Sequence, residues 1–404
     1  MAPWYNPHAG AYTQGILALN DAKSRVLRFS HVRLENWRNF AQVDVDLQRR
    51  VFLVGPNASG KSNFLDAFRF LSNVVSVGGG FHEAVRARGG VSSLRCLAAR
   101  RYSDIAIRVV LGGEENGRTW EYELRFNQDN LRRPVIRKEE VLKDGVPLLR
   151  RPDKQDETDP ERLTQTYLEQ VHANQQFRPI ADFFLSIRYL HIVPQLVREP
   201  DRSVGRRNDP FGGDFLEQMA RTPRNTQEAR LRRIQGALRV AVPQLKELEL
   251  WRDERGTPHL RGKYVHWRPQ GAWQTEEAFS DGTLRLLGFL WAVLEPAGPL
   301  LLEEPELSLH PGVVRYIPQI IARIQRRSGR QALISTQSSD LLADEGIGLD
   351  EVLLLQPATE GTAVRPASAF EDVKRLLEGG SNLADAVIPR TRPESAHQLS
   401  LFPE

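Results

Sequence analysis

The sequence predicts an α/β fold, and three stretches carry that expectation. Residues 51–54, VFLV, form an apolar run that leads straight into GPNASGKS at 55–62. The following NFLDAFRFL spaces Phe64, Leu65, Phe68 and Leu71 along one helical face. Residues 299–306, PLLLEEPE, set three leucines ahead of Glu303, Glu304 and Glu306, the pattern of a buried strand that ends in acid. Residues 104–151 run through IAIRVVL, TWEYELRF and VIRKEEVL with Gly-Gly and Asp-Gly punctuation, the mark of antiparallel strands.

Strand, glycine loop and helix give G-x-x-x-x-G-K-S its meaning as a phosphate cradle. Gly55 and Gly60 permit the tight turn, Asn57, Ser59 and Asn63 line it, and the helix start adds its positive dipole end. Lys61 is placed to reach the β- and γ-phosphates of ATP, and Ser62 to ligate Mg²⁺. Across the site, Glu303 is the expected Mg²⁺ holder and Glu304 the group that polarises the attacking water. Between these halves, FSDGTLRLLGFLWAVL (279–294) places Ser280 and Gly282 at the start of an apolar helix. Two readings stay open there: a second anion site, or an ordinary helix cap.

Bulk properties bound the alternatives. Of 404 residues 40% are hydrophobic, enough for a packed core and too many for wholesale disorder. The net charge is only +4, yet arginines cluster at 198–207 and 221–233, which suits phosphate-bearing partners. Cys96 is the single cysteine, so no intramolecular disulfide framework exists and a reducing compartment is expected. The apolar stretch 284–302 is interrupted by Arg285, Glu295, Pro296, Gly298 and Pro299, which predicts a buried helix followed by a strand and no membrane span. With no charged-then-apolar pattern at the N-terminus, a cytoplasmic protein is expected.

Taken in order, the motifs resemble those of ABC-type ATPase heads of the SMC, RecF and RecN class, and most closely stand-alone ATPases related to the OLD and AbiEii groups. VRLENWRNF (32–40) resembles the opening strand and arginine turn, GPNASGKS the Walker A loop and FSDGT the signature. LLLEEPELSLHP resembles Walker B with the D-loop, and ALISTQSSDLL (332–342) the switch region. The resemblance implies an ABC-type P-loop head with an antiparallel β lobe and an inserted helical lobe. It implies ATP and Mg²⁺ as ligands, and a homodimer formed head to tail on ATP in which Ser280 of one copy meets the nucleotide held by Lys61 of the other. It implies Arg38 near the α-phosphate and Gln195 near Mg²⁺. In the family's switch a histidine stands between threonine and serine, whereas this chain has Gln337 between Thr336 and Ser338. Glutamine donates a hydrogen bond without carrying charge, so slow hydrolysis is expected.

The remaining segments are divided as a 1–24 extension, a first half of the head (25–151), an inserted helical and basic lobe (152–268), a second half of the head (269–367) and a C-terminal helix with tail (368–404). Residues 160–187 are expected to be helical. So is 225–242, with a capping box from Asn225 to Glu228 and Arg230, Arg232, Arg233 and Arg239 turned outward. RGKYVHWRP (261–269) interleaves bases with aromatics, which suits DNA; a solvated face balanced by Glu247, Asp253 and Glu254 is the other reading. The tail PRTRPESAHQLSLFPE ends in QLSLF, which resembles the pentapeptide that docks bacterial proteins on the sliding clamp. Gln398, Leu399, Leu401 and Phe402 would then bind that partner. The expected function is an ATPase acting on DNA in repair, replication or phage defence, or alternatively a nucleotide-gated scaffold for a separate effector. An OLD-type nuclease is not expected, since residues 343–404 carry no Asp-x-Asp cluster.

Overall fold

Strand patterning sorts the chain into two large sheets. The computed structural model describes residues 27–392 apart from 99–103, 113–117, 204–208, 210, 268–271 and 297. In chain order the first strands are β1 (Arg28–Trp37), β2 (Phe40–Asp46), β3 (Arg50–Val54), β4 (Ile105–Gly112), β5 (Arg118–Gln128), β6 (Pro134–Lys143) and β7 (Val146–Arg151). There follow β8 (Arg188–Leu190), β9 (Leu245–Arg252), β10 (Pro258–Tyr264) and β11 (Ala272–Thr275). The last are β12 (Leu300–Glu303), β13 (Ala332–Thr336), β14 (Val352–Ala358) and β15 (Gly361–Pro366).

The alternating strands pair antiparallel in the order β2-β1-β4-β5-β6-β7, with the β6–β7 turn at Asp144-Gly145. The apolar runs of β3, β12, β13 and β14 form the middle of a second sheet, β15-β14-β3-β13-β12-β8, parallel except at β15. A parallel strand covered on both faces needs apolar side chains on both. β3 meets that need: Val51 and Leu53 enter one core, Phe52 and Val54 the other. The first core is shared with the antiparallel sheet and the helix Lys61–Val75, where Phe29 packs against Phe68 at 4.7 Å and Phe183 at 5.0 Å. The second takes in the helices Asp281–Leu294 and Ile317–Ser328.

Register decides what meets at the sheet's edge. Ser335 of β13 is level with both Leu53 of β3 and Glu303 of β12, and Thr336 is level with Val54. Gly55, Glu304 and Gln337 therefore leave the sheet side by side at its C-terminal edge, where open parallel sheets form their crevice.

Elsewhere several expectations give way. Residues 160–187 hold only a short 3-10 turn at Pro160–Thr164 and a helix at Arg178–Leu185, because Pro179 and a run of polar turns confine helix to the apolar stretch. The helix Arg224–Ala241 starts at Pro223 with no side-chain cap, so the Asn225–Glu228 box does not form; Glu228 instead pairs with Arg224 at 2.9 Å. Arg230 is not turned outward: its guanidinium lies 5.1 Å over the Trp291 ring. In the small sheet β11-β10-β9, Lys263 pairs with Glu247 at 3.1 Å and Arg261 with Glu249, so this basic stretch is balanced across the strands. The stretch 284–302 folds as helix then strand. No helix among the described residues is long and apolar enough to cross a membrane. The QLSLF segment and residues 1–24 lie outside the described residues.

Candidate nucleotide-binding site

The loop turns on Gly60, whose φ of +96° suits glycine, and a Cβ there would sit 2.2 Å from Asn39 Nδ2. At Gly55 a Cβ would lie 2.7 Å from the Leu355 carbonyl oxygen. Asn39 braces the loop: its Nδ2 donates to the Ser59 carbonyl at 2.9 Å and to Thr362 Oγ1 at 2.7 Å, and its Oδ1 accepts from Asn63 Nδ2 at 2.8 Å. Asn57 is exposed at the crest, while Ser59 is fully buried beneath it.

The helix Lys61–Val75 begins at Gly60 without a side-chain cap. Among the described residues the N–H groups of Gly60, Lys61 and Ser62 have no hydrogen-bond acceptor. Open amides at a helix start are a ready oxyanion site. Lys61, only 6% exposed, folds back so that Nζ donates to the carbonyls of Gly55 at 2.9 Å and Pro56 at 3.1 Å. Burial lowers its pKa, while the charges of Glu304, Glu306 and Glu303 pull the other way.

The acids meet the loop directly. Ser62 Oγ donates to Glu303 Oε1, and the Tyr189 hydroxyl donates to Glu303 Oε2. Burial, and after it the charge of Glu303, holds the Tyr189 phenol far above its usual pKa, so it remains a donor. Glu304 has a φ of +43° and lies 4.0 Å from Lys61 Nζ. Its Oε1 accepts from Gln337 Nε2 at 2.6 Å. Glu306 accepts from Thr336 Oγ1 at 2.6 Å and from the Gln337 N–H at 3.2 Å, and burial raises its pKa. The structure thus brings Lys61, Ser62, Glu303, Glu304 and Gln337 into one cluster. Glu306, of the same acidic strand end, belongs to it as well, and Tyr189 and Asn39 join it unforeseen. Reading RYLHIV as an aromatic and β-branched edge strand would have pointed to Tyr189.

The other named residues lie around this cluster. Arg38, at a φ of +55°, donates to the Ser93 carbonyl at 3.3 Å and approaches Asp66 to 3.6 Å. Gln195 is exposed on the short helix Pro194–Val197 and has no hydrogen bond to the acid cluster; Tyr189 makes that contact instead. Ser280 is exposed and caps the helix Asp281–Leu294, its Oγ accepting from the Thr283 N–H at 3.2 Å. Gly282 has a packing role, since a Cβ would meet the Ser308 carbonyl oxygen at 2.4 Å. Arg198 ties this corner together by pairing with Asp281 at 2.6 Å.

The donor set fits a Mg²⁺-nucleotide: hydroxyl and carboxylate oxygens of Ser62 and Glu303 suit a hard cation, and the open amides beside Lys61 suit phosphate oxygens. Known proteins agree in fold and family. A profile described as "AAA domain, putative AbiEii toxin, Type IV TA system" matches residues 50–344. The structure of an SmcHead bound to the C-winged helix domain of ScpA superposes with a TM-score of 0.52 at 14% identity, covering 83% of this chain and 96% of that one, a likeness of fold alone. Endonuclease GajA of Bacillus cereus (strain VD045) is 42% identical over 45 residues, which is 11% of this chain; the chain spans 8% of that relative's length. An ABC-type P-loop head of the SMC kind, matched along most of its length by one profile, places the chain in the AAA family of putative AbiEii toxins, Type IV toxin–antitoxin systems.

Proposed function

We propose that the chain binds ATP with Mg²⁺, hydrolyses it slowly and uses the bound nucleotide to join two heads on DNA. The observation that carries this reading is the convergence of Lys61, Ser62, Glu303 and Glu304 beside three open helix-start amides. In it, Lys61 and those amides hold the β- and γ-phosphates. Ser62 and Glu303 would hold Mg²⁺, with Tyr189 fixing the carboxylate, and the bound ion would supply positive charge to offset that of the phosphates. Glu304 takes the proton of the attacking water. The hydrogen bond from Gln337 occupies the Glu304 oxygen that would otherwise face the water, and the neutral amide adds no charge at the γ-phosphate, so both features support slow turnover. They equally favour a second reading, a nucleotide-gated scaffold that controls a separate effector. The exposed Ser280 supports a head-to-tail homodimer, with that serine meeting the γ-phosphate bound by a second copy.

For DNA, the supporting features are the exposed Arg232, Arg233 and Arg239 on one helix and the short match to an endonuclease. Repair, replication and phage defence are the candidate settings. Recruitment by a sliding clamp rests on Gln398, Leu399, Leu401 and Phe402 alone, and titrating clamp with a labelled peptide of residues 390–404 tests it. The main test is Glu304→Gln. It should bind ATP, lose roughly 10²- to 10⁴-fold in turnover and accumulate as a dimer on Mg²⁺-ATP by light scattering. A variant that stays monomeric at saturating ATP sinks the paired-head reading. In the wild type, ATPase rates raised by DNA favour the first reading, and rates near background with or without DNA favour the scaffold.

A further inference from the structure

Behind the acid cluster, alongside β8, lies a cavity of about 100 Å³ lined by both the helix Lys61–Val75 and the helix Asp281–Leu294. Its walls are rich in unmatched donors. Arg69 has no ion pair or hydrogen bond among the described residues, and its guanidinium lies 5.1 Å over the Tyr189 ring. Trp291 is 2% exposed, and its indole N–H is buried without a partner among the described residues. Asn73 has its Oδ1 taken by Arg88 at 3.0 Å, which leaves its amide N–H groups to donate. A buried donor with no acceptor is costly unless something else fills the space.

The carboxylates in the wall do not answer that need. Glu295 is engaged by Arg188 at 3.9 Å, and Asp209 accepts from the Phe211 N–H at 2.9 Å. Gln218 gives its amide to Asp214 at 2.9 Å, which leaves its carbonyl oxygen as an acceptor. One guanidinium, an indole N–H and an amide offer hydrogen-bond donors, and one carbonyl can accept. That set suits a tetrahedral oxyanion that still carries a hydroxyl. The space is ample for several waters and matches a small anionic group better than a large apolar one.

We infer that this cavity is a second ligand site, which takes a phosphate group, free or as a monoester, between Arg69 and the indole N–H of Trp291. The site is joined to the acid cluster through one residue. Arg69 stacks on Tyr189, and the Tyr189 hydroxyl holds Glu303, so an anion that draws Arg69 away alters the support of that carboxylate. Occupancy therefore tunes the hydrolytic centre without touching it. The cavity's ligand chemistry stands on its own walls and does not depend on the ATPase reading.

The test uses the full chain saturated with a non-hydrolysable ATP analogue and Mg²⁺, so that the phosphate loop is filled. Inorganic phosphate and, separately, AMP are titrated by calorimetry. Saturable binding of either is expected, weakened at least tenfold in Arg69→Gln and severalfold in Trp291→Phe, which keeps the ring and removes the N–H. Circular dichroism and the thermal midpoint show whether each variant is folded, and Trp291→Phe carries the test if Arg69→Gln is not. Binding of phosphate alone identifies the free anion, and binding of AMP the ester. No saturable binding of either, as from a cavity that holds only water, or unchanged binding in the folded variants, overturns the inference. Failure of the analogue to bind counts against the nucleotide site instead, because the variants assign the cavity's binding whether or not the loop is filled.

Discussion

Two regions of this molecule take charge out of water, and they do it in opposite ways. In the antiparallel lobe, Arg151, Glu139 and Asp156 have fully buried side chains. Arg151 bonds Asp156 at 2.7 and 3.0 Å, Glu139 at 3.0 Å and the carbonyls of Arg162 and Gln165 at 2.8 Å each. Glu139 also accepts from the N–H groups of Tyr167 at 2.8 Å and Leu168 at 3.1 Å. The network closes on itself. At the edge of the parallel sheet, Lys61 spends its donors on carbonyls of its own loop, three glutamates stand near a single lysine, and the amides of Gly60, Lys61 and Ser62 stay open. A saturated network holds a fold together, whereas an unsaturated one is shaped for something that arrives.

The comparison breaks most sharply at the paired variants Arg151→Met and Lys61→Ala. Arg151→Met strands two buried carboxylates and should cost about 3–5 kcal/mol, read from the denaturant midpoint. Lys61→Ala should abolish ATP binding, read by calorimetry, with far less effect on stability, because Glu303 and Glu304 still reach water. Equal stability losses would erase the distinction.

Glu169 sharpens it: this carboxylate lies beside the closed network and has no ion pair among the described residues. It accepts from Thr166 Oγ1 at 3.1 Å and the Phe81 N–H at 2.5 Å, and burial raises its pKa from 4.5 to about 7. Between those values the native state holds a proton that the unfolded chain has released, so stability falls as pH rises through this window and levels off above it. Glu169→Gln keeps an acceptor oxygen and loses the charge. Above pH 7 it should be more stable than wild type by at most about 3 kcal/mol, with the advantage gone below about pH 4.5. Parallel stability curves for the two proteins across that range would contradict this account.

The smallest effect is expected at Tyr189→Phe. The ring stays and the donor to Glu303 goes, so Mg²⁺ for half-maximal turnover should rise about tenfold. ATP affinity without Mg²⁺ should be unchanged. A shift in both would make Tyr189 a packing residue and not one that positions the acid.

Sequence and tertiary structure divided the work along a physical line. The loop, its flanking strand and helix, the acidic strand end and the cap at Ser280 were legible because each is written in consecutive residues: a glycine at a positive φ, an apolar run, a helix start. The short turns of 160–187 and the start of the helix at Pro223 were misread, since local propensity is weak wherever packing sets the ends. Contacts between distant segments were decided only by folding. Ser62 and Glu303 are 241 residues apart, Tyr189 and Glu303 114, and Asn39 and Thr362 323. They meet because the sheet orders its strands β14-β3-β13-β12-β8, and pairing between strands so far apart in the chain is written in no local pattern of residues. Arg230 shows the same rule on a helix: its spacing turned it toward water, and the indole of Trp291 on a neighbouring helix drew it in.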